Sequence, residues 1–124
     1  MTYLKNIFKL ILIIALRNFR AKYKLLTNLL YVSAGALIDN NENILIAKRP
    51  NNKCEAGKWE FPGGKIISGE SPEEALIREF SEELSIKVKK ECLALLTFAT
   101  CDEKEFYLVI FLFICRIWEG NVVS

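Results

Sequence analysis

The sequence has no histidine. That excludes Ser-His-Asp and Cys-His nucleophilic machinery and any zinc site built on imidazole. Its four cysteines, Cys54, Cys92, Cys101 and Cys115, show no C-x-x-C spacing. They sit mostly in apolar runs and read as reduced thiols acting as small hydrophobes, not as a zinc site or a disulfide framework. The apolar run at 10–16 is too short for a bilayer span of about 20 residues, and no A-x-A-like cleavage site follows it. Acid is absent from residues 1–31, which carry six Lys or Arg. The remainder holds eleven basic and fifteen acidic residues. The chain therefore has two parts of opposite charge under a net charge of only +2.

What is present is enough apolar residue, 52% of 124, to bury the core of one ordinary domain. Residues 1–30 form a basic, apolar extension, with Leu25, Leu26, Leu29 and Leu30 at helical spacing. Three readings of it stand side by side. It is a basic amphipathic helix on an anionic membrane surface, a helical arm packed on the domain or a partner, or a non-native extension from an upstream start. From Tyr31 the texture becomes strand, polar turn "DNNEN", strand, then a loop rich in Pro, Asn and Gly. "WEF" is a short strand ended by Pro62, Gly63 and Gly64. Ser71, Pro72 and Glu74 give a cap, a first-turn proline and a capping box, so a helix is expected from there to about Leu84. Two long β-prone runs joined by "CDEKE" follow. The order predicts a mixed α/β (α+β) domain.

The predicted helix carries an acidic stripe. On a wheel of about 100° per residue, Glu82 and Glu83 flank Glu79 at about −60° and +40°. Leu76, Ile77, Phe80 and Leu84 occupy the adjoining arc, and Arg78 stands four residues before Glu82. Like charges at these spacings repel, and no lysine falls between positions 70 and 86 to relieve them. Two readings remain on this evidence: a solvated acidic face, or a cradle of carboxylate oxygens for a hard divalent cation, Mg²⁺ or Mn²⁺. Gly63 and Gly64 would let backbone approach the same ion or a phosphate.

The spacing G-x5-E-x7-R-E-U-x-E-E-x-G-U, with U apolar, is the Nudix box. The chain resembles it at Gly64, Glu70, Arg78, Glu79, Phe80, Glu82, Glu83 and Ile86, and departs at one position, Ser85 for glycine. "KWEFPGGK" and "WEG" resemble the MutT-like branch, which sanitises oxidised purine nucleoside triphosphates. The resemblance spans 31–124, about three quarters of such a domain, and leaves 1–30 without a counterpart. A final strand and C-terminal helix are expected to be lacking.

The resemblance implies a Nudix-type mixed β-sheet sandwich with the box helix packed on it. It implies a metal-dependent pyrophosphohydrolase converting 8-oxo-dGTP to 8-oxo-dGMP and pyrophosphate, in the service of DNA damage avoidance. In that reading Glu79, Glu82 and Glu83 ligate Mg²⁺ or Mn²⁺, joined by the backbone carbonyl of Gly63 or Gly64. Arg78 holds the glutamates by salt bridges, and Glu70 supports them from the loop before the helix. Phe61 stands at the purine-stacking position, or is a core aromatic. Lys48 and Arg49 face phosphates, or are ordinary surface cations. Where the branch places a further metal-binding carboxylate, this chain reads Cys115, Arg116 and Ile117, with Glu119 nearby but unmatched. A cytoplasmic monomer acting on a small nucleotide, with no stable nucleic-acid binding, is expected. Two other readings remain: a Nudix hydrolase of a different substrate (a dinucleoside polyphosphate, a nucleotide sugar, an RNA 5′ end) and an inactive truncated fragment.

Overall fold

The computed structural model describes residues 2–5, 28–49, 51 and 57–123. Seven strands, one α-helix and a single 3-10 turn at Lys90–Cys92 are found among them. The strands are β1 (Thr2–Lys5), β2 (Leu29–Leu37), β3 (Asn43–Lys48), β4 (Trp59–Glu60), β5 (Gly63–Lys65), β6 (Leu93–Asp102) and β7 (Tyr107–Cys115). The helix, α1, spans Pro72–Leu84.

The larger sheet has the order β5-β2-β7-β6. β2 runs parallel to β7 along its whole length, from Leu29 opposite Tyr107 to Leu37 opposite Cys115. β7 reads YLVIFLFIC, the continuous apolar run of an inner strand, with Leu112, Phe113 and Cys115 buried and the rest half-buried. β6 pairs with it antiparallel and bulges at Leu96. β5 closes the other edge, with Ser33 opposite Gly64 and Ala34 opposite Gly63. The smaller sheet, β1-β3-β4, hangs from the end of β2 through the Ile38–Ile44 bridge. The turn between them is organised by Asp39, whose carboxylate accepts from the Asn41 and Asn43 backbone amides and the Asn43 side chain. Those bonds, the Asn43 side chain's first, hold the Asp39 carboxyl below its usual pKa.

Alternation along β2 builds two cores. Leu37, with Phe113 and Cys115 from β7, packs against Leu76, Phe80 and Leu84 of α1. Ala34 and Ala36 turn the other way and pack with Ile38, Ile44 and Leu112. Gly35 is where helix and sheet come closest: a Cβ there would collide with the Phe80 ring and press on Leu76.

The expected N-terminal helix does not extend to the first residues. Thr2–Lys5 is a strand, paired antiparallel with β3 from Ile46 to Asn43. Its physical reason is the edge of β3, which offers unpaired backbone groups that an extended segment can satisfy. At its other end Leu29 and Leu30, counted in the helical spacing, instead open β2 and pair with Tyr107 and Leu108; residues 6–27 of the expected helix lie outside the described residues, as does Cys54. Helix α1 begins and ends where the sequence predicts.

Candidate active site

Ser71 caps α1, accepting from the Glu74 amide while the Glu74 carboxylate accepts from the Ser71 amide. That reciprocal box fixes where the helix starts, and so which residues face the sheet. Ala75, Leu76, Phe80 and Leu84 are buried. The next stripe around carries Glu79, Glu82 and Glu83. Glu82 and Glu83 fall in the last turn, which carries no basic residue and where the helix dipole disfavours anions by about 0.3–1 kcal/mol each.

Arg78 organises the stripe. Its Nε and Nη2 donate to the two oxygens of Glu70, at 2.6 and 3.1 Å. Nη1 donates to Glu79 at 2.6 Å and reaches Glu82 at 3.4 Å. Nη2 also donates to the Lys65 carbonyl at 3.0 Å, tying the helix to β5. This bidentate grip lowers the Glu70 pKa, chiefly through the Arg78 hydrogen bonds, and raises that of Arg78 further above its ordinary value. Glu70 also accepts from the Ile67 amide, so the loop before α1 is pinned to the helix it precedes.

The two glycines bring backbone under the carboxylates. Gly63 has φ of 150° and passes so near β2 that a Cβ would meet the Ser33 carbonyl and the Ala34 Cα. Its amide donates to Glu83 at 3.4 Å. A Cβ on Gly64 would fall on the Glu79 carboxylate; that carboxylate lies over the bare Gly64 backbone and is only 14% exposed. Glu82 is the open member, 60% exposed.

Glu70, Arg78, Glu79 and Glu82 thus form one hydrogen-bonded group, with Glu83 beside them on Gly63. The donors are oxygens only, four carboxylates against one guanidinium, which suits a hard divalent cation and no soft one. Among the described residues, no three carboxylates or thiols converge closely enough to hold an ion as they stand. Arg78 Nη1 bridges Glu79 and Glu82 instead.

The other sequence-predicted residues lie apart from this group. Phe61 is half-buried and packs on the Ala34–Leu112 core, the face of the large sheet turned away from α1. Lys48 is exposed at the end of β3, opposite Trp59. Arg49 is tied to Glu60 at 2.7 Å, and its Nε is buried with no hydrogen-bond partner. Arg116 pairs with Glu42, Cys115 is buried, and Glu119 is bonded through its backbone to Lys87. None of the three places a carboxylate side chain on the Arg78 network. Glu60, as the partner of Arg49, and Ser33, beneath Gly64, escaped the sequence reading. Ser33 is one hydroxyl in an apolar strand, and only its register shows what it lies beside.

The chain is similar to known proteins over most of its length. The model of the NUDIX domain matches residues 29–124. The "8-oxo-dGTP diphosphatase" of Proteus vulgaris is 38% identical over 95 residues, covering 77% of this chain and 83% of that protein. The "CTP pyrophosphohydrolase" of Escherichia coli is 48% identical over a shorter stretch of 52 residues, 42% of this chain and 38% of that protein. Among solved structures, the MutT NUDIX hydrolase from Burkholderia pseudomallei superposes with a TM-score of 0.70 at 26% identity, over 78% of this chain and 74% of that one.

Proposed function

The chain belongs to the NUDIX family of hydrolases, and from that we propose that it hydrolyses oxidised purine nucleoside triphosphates, 8-oxo-dGTP above all, to the monophosphate and pyrophosphate. The observation that carries the reading is the gathering of Glu70, Arg78, Glu79, Glu82 and Glu83 on one face of α1 beside Gly63 and Gly64. The substrate comes from the activity of the Proteus vulgaris 8-oxo-dGTP diphosphatase, which matches 77% of this chain.

Nudix hydrolases work with divalent metal, and the oxygen-only donor set fits Mg²⁺ or Mn²⁺. Bound there, the cation supplies charge neutralisation for the phosphates and a lowered pKa for water. Glu79, Glu82 and Glu83 are the residues that would hold it, with the backbone at Gly63 and Gly64. A glutamate of this group, Glu79 first, takes the proton of the attacking water, which is directed at the β-phosphorus. Arg78 and Glu70 hold these carboxylates in register and neutralise one charge of the cluster. Arg49, kept in place by Glu60, would meet the phosphate tail, and Phe61 would stack on the base. We infer a monomer acting in the cytoplasm on small nucleotides. Among the described residues, no helix is long and apolar enough to cross a membrane.

A second reading concerns the base. The shorter match to a CTP pyrophosphohydrolase has the higher identity, and the box motif carries the hydrolytic chemistry and not the choice of base. Pyrophosphate release from 8-oxo-dGTP, dGTP and CTP, with and without Mg²⁺, separates the two. Preference for 8-oxo-dGTP is expected. Preference for CTP would replace the purine reading while leaving the hydrolase reading intact.

A further inference from the structure

Ser33 lies in the interior with no exposed surface, and its Oγ has no hydrogen-bond partner. A buried hydroxyl left unpaired is costly, and such groups are uncommon in folded proteins. Its position supplies a reason. Ser33 is the antiparallel partner of Gly64, and directly opposed residues of antiparallel strands project their Cβ atoms to the same face, about 5 Å apart. On Gly64 that direction leads into the Glu79 carboxylate, which occupies the place of the missing side chain. The Ser33 hydroxyl is therefore aimed at the space beside Glu79. That carboxylate is bound to Arg78 through Oε1, and among the described residues no donor is found on its Oε2. A buried donor without an acceptor thus stands on the strand position opposite Gly64, over which the Glu79 carboxylate of α1 lies.

We propose that Ser33 is a positioning residue for the site: its hydroxyl, unpaired in this structure, turns to donate to Glu79 Oε2 when that carboxylate takes up a divalent cation, fixing which oxygen is presented to the ion. This rests on the cation-dependent reading above and deepens it. Glu79 would be held from two sides, by Arg78 from solvent and by Ser33 from the core. Partners of this kind set the orientation of a ligand, and their loss weakens metal binding or activity by about 10- to 100-fold.

Mn²⁺ binding to the full chain, followed by electron paramagnetic resonance, tests the proposal together with thermal melting and steady-state kinetics. Ser33→Ala is expected to weaken Mn²⁺ binding about 10-fold, and to lower kcat more than it raises KM for the nucleotide. Its melting temperature is expected to stay level or rise, since the variant removes an unsatisfied hydroxyl. Ser33→Cys, of similar shape with a weak donor, should lie between the two. If Ser33→Ala binds Mn²⁺ and turns over as the wild type does, the proposal is overturned and the cation reading survives. If the wild type itself binds no Mn²⁺, the cation reading falls and takes this one with it. If Ser33→Ala does not fold, the cysteine variant decides: weakened binding supports the role, and wild-type binding rejects it.

Discussion

At the residue scale, Ser85 shows how the helix end is made without the glycine that the box pattern expects. It adopts φ 57° and ψ 29°, the left-handed conformation, and its amide returns to the Phe80 carbonyl. A side chain in that region costs on the order of 1 kcal/mol relative to glycine. Ser85→Gly is therefore predicted to raise stability by about 1 kcal/mol, or roughly 4–8 °C in melting temperature for a domain of this size. Thermal melting followed by circular dichroism measures it, and a lowered melting temperature would mean that Ser85 makes a compensating contact. The departure from the pattern touches the helix terminus and leaves the residues of the Arg78 network in place. Gly64 is the opposite case, because its lack of a side chain is occupied by Glu79.

At the scale of the element, α1 and the loop before it act as one unit through Glu70 and Arg78. Arg78 hydrogen bonds depress the Glu70 pKa in the folded state, and the Ser71 amide does the same for Glu74. A carboxylate with a depressed folded pKa contributes stability that is fully present above its unfolded value, about 4.3. That contribution is lost as pH falls through the folded value. The melting temperature should hold from pH 7 to about 5 and decline below that. Glu70→Gln should melt lower than the wild type at pH 7 and decline less steeply in acid. Parallel curves for the two proteins would show that the Glu70–Arg78 pair adds nothing to the fold.

The elements also show what was legible in the sequence. α1 was readable from both ends, because its start is written in Ser71, Pro72 and Glu74 and its inward face in the spacing of Leu76, Phe80 and Leu84. The acidic stripe followed from the same periodicity. That Arg78 bridges Glu79 and Glu82 followed from the resemblance to the box and not from the wheel, which gives angles and not the reach of a guanidinium. Strand pairing was beyond reach for a different reason: the parallel contact of β2 with β7 joins residues more than seventy positions apart. The meaning of Ser33 depends on that kind of information, because its partner Gly64 is set by the register of β5 on β2. The helical reading of residues 1–30 rests on the spacing of Leu25, Leu26, Leu29 and Leu30, whereas Thr2–Lys5 pairs with an edge that only the folded chain presents.

At the scale of the whole molecule, the large sheet separates two layers with different tasks. On one side α1 brings its carboxylates and Arg78 over the buried Ser33 of the sheet. Away from α1 the sheet carries the Ala34–Leu112 core and Phe61. In the proposed function the first layer holds the reacting phosphates and the second contributes to recognition of the base, and Gly63 and Gly64 lie at the sheet edge between them. The central claim is that the stripe on α1 is a divalent-cation site for hydrolysis, not a solvated acidic face. Glu82 tests it best, because its carboxylate is exposed and its loss should leave the fold intact. The measurement is Mg²⁺-dependent pyrophosphate release from 8-oxo-dGTP by the wild type and by Glu82→Gln, with circular dichroism confirming that both are folded. Release by the wild type is expected only when Mg²⁺ is present, with a fall of at least about 100-fold in the variant. Equal release by the two proteins would contradict the claim.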